Sequence, residues 1–160
     1  MMTDRPPQRT PPRLLADCML GRLAKWLRLL GYDAAYENDA TDHHLARRAR
    51  AERRVLLTRD RQLADRPGLE TLVIRCEQLE EQVQEVRDAL GPPADPLLSR
   101  CSICNVALED VATEDVVDQV PRYVLQTHTE FRRCPECGRI YWSGSHVDTM
   151  GKQIEGFDLS

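Results

Sequence analysis

The run Val55-Leu56-Leu57-Thr58-Arg59-Asp60 is a short apolar stretch that stops abruptly at a carboxylate. Without polar alternation, and with Arg53-Arg54 before it and Arg61 after it, it predicts a parallel strand buried on both faces, with Asp60 at its carboxyl end. Leu14-Leu15-Ala16-Asp17 has the same form earlier in the chain. In open α/β sheets the carboxyl edge of the strands is where ligands and chemistry collect.

Between and beyond these strands the pattern alternates. Leu20, Leu23, Ala24, Leu27 and Leu30 fall at helical spacing and predict a helix from about Met19 to Leu30, with Gly31 as its C-terminal cap. Arg22, Lys25 and Arg28 form a basic face on it, and Trp26 reads as packing. A strand over Asp33 to Tyr36 leads through Glu37-Asn38-Asp39-Ala40 into a second helix from about Thr41 to Arg53. Asp39 or Thr41 caps that helix, and Asp42 suits its positive end. Its buried side is Leu45, Ala46 and Ala49, while Arg47, Arg48, Arg50, Arg53 and Arg54 make the rest strongly cationic. After Asp60 come a polar segment, Arg61 to Pro67, an apolar run, Thr71 to Ile74, and a helix from about Glu77 to Leu90. Leu79, Val83, Val86 and Leu90 mark its inner face, and Gly91-Pro92-Pro93 stops it. The order predicts an α/β fold: a parallel sheet with helices on both faces and right-handed crossovers.

Six cysteines lie in the 160 residues, and four of them form two CxxC pairs, Cys101/Cys104 and Cys134/Cys137, separated by 29 residues. This spacing suits a tetrahedral zinc whose complete shell leaves no position for catalysis, so the site is expected to be structural. A segment of roughly 50 residues has little core of its own, and a structural zinc supplies on the order of 10–16 kcal/mol of apparent binding energy. Cys18 and Cys76 stand outside this pattern and read as small buried hydrophobes. Residues 1–12 are expected to be a disordered tail, 13–91 the α/β domain, 92–98 a linker and 99–160 the zinc ribbon.

No apolar stretch approaches the roughly 20 residues of a membrane span, and the proline-rich start has no apolar centre of the kind a secretory signal needs. A cytoplasmic location is the expectation. The net charge of -4 conceals an asymmetry. Residues 1–68 carry 14 Lys/Arg against 9 Asp/Glu, and the remainder 8 against 17. The candidate carboxylates lie in the basic half.

Asp17 and Asp60 end two strands, while Asp39 and Asp42 follow a third. A parallel sheet brings all four to one edge, where a divalent cation must offset their repulsion. Hard oxygen ligands at an open, watery site select Mg²⁺ or Mn²⁺, and a basic surround holds a polyanionic backbone. Metal-dependent phosphodiester hydrolysis fits these features. His43 and His44, adjacent at the start of the second helix, read as exposed. His128 is too remote in sequence to replace a cysteine, and His146 reads as a turn residue.

Four segments together resemble one family: Leu15 to Asp33, Leu56 to Asp60, Arg100-Cys101-Ser102-Ile103-Cys104-Asn105, and Cys134 to His146. It is the PIN-like RNase family named for the C-terminal domain of a mutator exoribonuclease, a PIN-type domain carrying a zinc ribbon. The resemblance implies a single-stranded RNA nuclease with Mg²⁺ or Mn²⁺ on three or four carboxylates. Asp17 matches the first acid and Asp60 that of the Thr-Arg-Asp motif; Asp42 is the choice for the helix-borne acid, with Asp39 its rival, and Asp65 is weakly placed as a fourth. Arg22, Lys25 and Arg59 would position the RNA backbone. The alternatives from other classes are a non-catalytic RNA-binding module, ribosome- or tRNA-associated, and a protein-interaction module using the acidic half. A PIN-type fold is also compatible with a regulatory protein partner.

Overall fold

The computed structural model describes residues 11–142. The first ten residues of the expected tail, and His146 with the end of the ribbon segment, lie outside the described residues.

Four parallel strands form the sheet: β1 (Arg13–Ala16), β2 (Asp33–Tyr36), β3 (Val55–Thr58) and β4 (Thr71–Val73), in the order β2-β1-β3-β4. Leu14, Leu15, Ala16, Leu56 and Leu57 have no measurable exposure, which is why the central strands lack polar alternation. Successive residues point to opposite faces and feed two cores. On one face Leu14, Ala16, Val55 and Leu57 pack under α1 (Gly21–Leu30) and α4 (Leu79–Leu90), through Leu23, Leu27, Val83 and Val86. On the other, Leu15, Ala35 and Leu56 meet Leu45 and Ala49 of α2 (Asp42–Glu52) and Leu63 of α3 (Arg61–Ala64). The connection that moves outward to β2 thus crosses on one face, and those that move back to β3 and β4 cross on the other. All three crossovers share one hand, as the twist of parallel sheets requires.

Several boundaries differ from the sequence expectation. The helix predicted from Met19 begins at Gly21, because the Asp17 side chain caps a separate 3₁₀ turn over Cys18–Leu20. The polar segment after Asp60 contains α3, whose first turn Asp60 caps by accepting from the Gln62 N–H at 2.9 Å. The helix predicted from Glu77 starts at Leu79. Trp26 is in the core, as expected. Arg28 does not join a basic face: it is 8 % exposed. Cys18, expected to be buried, is exposed. Part of the cationic surface of α2 is also spent inside the fold. Arg48 pairs with Glu37 at 2.7 Å and Glu52 at 2.6 Å, and the buried Arg54 holds Asp33 and Glu52, both at 2.8 Å.

Residues 92–98 lie against the end of α1. Gly31 takes a left-handed φ of 106°, the Asp95 N–H donates to its carbonyl, and the Leu98 N–H donates to the Leu29 carbonyl at 2.9 Å. Beyond this strap, β5 (Glu109–Val111), β6 (Phe131–Arg133) and β7 (Ile140–Tyr141) form an antiparallel sheet in that order. A third, smaller core of Val116, Val120, Val124 and Phe131 includes the short helix α5 (Arg122–Thr127), so this segment does bury apolar side chains of its own. Among the described residues no helix is long and apolar enough to cross a membrane.

Candidate active site and metal centre

Asp17 follows β1 at the carboxyl rim of the sheet and is 6 % exposed. Its two carboxylate oxygens are both held: Oδ1 accepts the Met19 N–H at 2.9 Å and Oδ2 accepts the Thr58 hydroxyl at 2.7 Å. Each retains acceptor capacity. Thr58 ends β3 with no exposure, and its Oγ1 also accepts the Asp60 N–H at 3.0 Å. One hydroxyl therefore orients Asp17 through its proton and Asp60 through its lone pair.

Asp42 opens α2, where the Thr41 side chain caps by accepting the His44 N–H at 3.1 Å. The Cys18 thiol lies beside Asp17 at the same rim. Its pKa is raised by its hydrogen bond to Asp17, then by burial and the Asp17 charge, and further by the charge of Asp42. Asp39 is exposed in the preceding turn with a left-handed φ of 66°, and Asp65 is the exposed C-cap of α3. The rim is braced from the β2 side by Tyr36, whose hydroxyl donates to the Cys18 carbonyl at 3.0 Å while its ring lies over Gly21. A Cβ at Gly21 would meet that ring at 2.8 Å, so glycine is what lets the end of β2 close on the start of α1.

Of the expected backbone-holding cations, Arg22 and Lys25 are exposed on α1. Arg59 is tethered by one donor, Nη1, to the Cys76 carbonyl at 2.7 Å. His43 and His44 are exposed, and His44 pairs with Glu37 at 2.6 Å. Sequence reasoning missed Thr58 as part of the site, although its place two residues before Asp60 on a buried strand was a usable signal.

The four cysteines converge. The sulfurs of Cys101, Cys104, Cys134 and Cys137 all lie within 4.8 Å of one another. Each pair sits on the same knuckle. The residue four after the first cysteine donates its N–H to that cysteine's carbonyl at 3.0 Å, and the cysteine N–H donates to the carbonyl of the residue after that. The turn residue is left-handed in both: Asn105 at φ 60° and Gly138 at φ 76°. Burial pushes the Cys101 thiol up, but the Tyr141 hydroxyl at 3.2 Å and the Cys104 and Ile103 N–H groups outweigh it and bring it down to about 7. Desolvation and the thiols of Cys137 and Cys134 push Cys104 up to about 12. Four sulfurs this close ionise together only around a cation, and an all-sulfur tetrahedral set fits zinc. His128 is not in the group. Among the described residues the aspartates of the sheet rim do not close to the same degree.

The two sites lie on opposite rims of the sheet. The acids follow the carboxyl ends of β1 and β3, whereas the first knuckle touches Asp33 and Ala34 at the start of β2. No curated protein and no solved structure matches the chain. A family model described as Mut7-C RNAse domain matches residues 12–154.

Proposed function

The chain belongs to the Mut7-C RNAse domain family, and from that membership we propose that it is a metal-dependent ribonuclease acting on single-stranded RNA at the acidic rim. The observation that carries the reading is the buried Asp17, held on both oxygens at the carboxyl end of a central strand and joined through Thr58 to Asp60. Burying a carboxylate is costly unless it is fully hydrogen-bonded or neutralised, and placing it at the sheet edge where ligands bind has a chemical purpose.

In this reading Asp17, Asp42 and Asp60 hold Mg²⁺ or Mn²⁺, with Asp39 as the rival to Asp42; their oxygen donors suit either hard cation. The bound ion supplies charge neutralisation at the phosphoryl group and a more acidic water. Thr58 fixes the rotamer of Asp17 and the backbone of Asp60. Arg22 and Lys25, exposed on α1, and the free donors of Arg59 pair with the RNA phosphates. Zinc fills the cysteine quartet as a structural ion on the far rim, which fits a reducing, cytoplasmic setting.

The test is cleavage of labelled single-stranded RNA and DNA by protein freed of Mg²⁺ and Mn²⁺, with and without either ion restored. Cleavage should return only with the ion. Asp17→Asn and Asp60→Asn should each lose more than the roughly 10- to 100-fold that removal of an outer-sphere partner costs. RNA binding without cleavage in every condition would replace this reading with the non-catalytic RNA-binding module.

A further inference from the structure

β2 is an edge strand. Among the described residues it pairs with β1 on one side only, and its other side offers backbone groups that a stable fold must cover. At Ala34 both outward groups are taken. The N–H is accepted by Asn105 Oδ1 at 3.2 Å, and the carbonyl accepts Arg28 Nε at 2.7 Å. Neither partner belongs to a strand: Asn105 is the turn residue of the first cysteine knuckle, and Arg28 is in the last turn of α1.

The same two side chains reach in both directions. Asn105 Nδ2 donates to Asp33 Oδ1 at 2.8 Å, at the start of β2. Arg28 Nη1 donates to the carbonyls of Ser102 at 3.0 Å and Ile103 at 3.1 Å, the two residues between Cys101 and Cys104. Those carbonyls point at Arg28 only while the knuckle keeps its turn, which is held by its two backbone bonds and by the Cys101 sulfur, acceptor of the Ile103 and Cys104 N–H groups at 3.4 Å. If the knuckle opened, a guanidinium that is 8 % exposed would keep one of its three acceptors, and the Ala34 N–H would lose its own.

Among the described residues the second knuckle has no such attachment to the sheet. Its turn residue is Gly138, and a Cβ there would meet nothing within 4 Å. Both turns need a left-handed residue, a conformation that glycine and asparagine supply. Only the docked knuckle uses the one that carries an amide.

We propose that Arg28 and Asn105 are positioning residues that couple metal occupancy of the cysteine quartet to the order of the edge strand β2, through the Cys101–Cys104 knuckle alone. Metal closes the knuckle, the closed knuckle pins Asp33 and Ala34, and β2 carries that order to Tyr36, whose hydroxyl braces the acidic rim. Linkage is reciprocal, so docking on β2 raises the affinity of the quartet for its metal by the same factor. The inference rests on the quartet's binding zinc and is independent of the chemistry at the acidic rim.

Asn105→Gly separates docking from folding, because glycine keeps the left-handed turn and removes only the amide. In the full-length chain, zinc affinity is measured by competition with a chromophoric chelator, and amide hydrogen exchange is followed with zinc bound and stripped. Asn105→Gly should weaken zinc binding by roughly 5- to 100-fold, the span of ordinary coupling between sites. Gly138→Asn, the matching change on the undocked knuckle, should stay within about twofold on the same scale. Stripping zinc from the wild type should raise exchange at the β2 amides more than in β3, and Asn105→Gly should shrink that response. Arg28→Met should act in the same direction as Asn105→Gly, and if it fails to fold the asparagine variant still decides. Zinc affinity unchanged in Asn105→Gly, or an equal rise of exchange across β2 and β3, would overturn the coupling. A wild-type chain that takes up no zinc would remove the metal assignment along with it, and the binding stoichiometry reports that separately.

Discussion

Thr58 concentrates the demands on the acidic rim into one hydroxyl. It donates to Asp17 Oδ2 and accepts from the Asp60 N–H, with no access to solvent. Valine keeps the shape and β-branching but leaves a buried carboxylate oxygen and a backbone donor without their partner, whereas serine keeps the hydroxyl. Thr58→Val is therefore expected to cost about 1–3 kcal/mol in chemical denaturation, with Thr58→Ser recovering most of it. The identity of this residue as threonine was plain in the sequence. Its double bond was not, because that depends on β1 and β3 being neighbours whose ends are level.

At the scale of elements, β2 shows how a strand at the edge is held by charge as well as by pairing. Its first residue, Asp33, is bonded by Arg54 and by Asn105, and these bonds outweigh burial to hold its carboxyl below the usual range. A depressed folded-state pKa means stability that is complete above the unfolded value of about 3.9 and lost as pH falls through the lower folded value. Asp33→Asn should thus be less stable than wild type at neutral pH, and the gap should close on acidification below about pH 4. Denaturation curves of the two proteins across that window check the sign; a gap that widens would be the contrary result. α1 is the other element joined to both rims. Its start lies under Tyr36, and its end carries Arg28 and Gly31. Helical periodicity located it but put Arg28 on the solvent side. A three-residue recurrence of cations drifts round a helix, and only the neighbour packed there determines where it becomes buried.

For the whole molecule, the contact between the two regions is the strap of residues 92–98 and the first knuckle. The strap needs Gly31: its φ is 106°, and a Cβ there would come within 2.0 Å of the Asp95 carbonyl oxygen. Gly31→Ala should cost more than the roughly 1–3 kcal/mol of backbone strain alone, since Asp95 must move as well. The same change should speed proteolysis within 92–98, and a melting temperature equal to wild type would count against the strap's role. This proline-rich stretch, expected as a linker, lies along α1 and is bonded at Leu29 and Gly31.

What the sequence by itself determined are properties that travel with local pattern. Unalternated Leu and Val specify strands buried on both faces, 3.6-residue periodicity specifies the covering helices, and two CxxC pairs specify a four-sulfur site, because each depends on residues within a turn or a strand of one another. What only the tertiary structure decided is what distant segments do to each other: that Thr58 joins Asp17 to Asp60, and that Arg28 and Asn105 seal an edge strand against a cysteine knuckle. Those pairings are set by strand order and by which helix lies on which face, and a side chain's burial follows from the neighbour placed there, which no local pattern records.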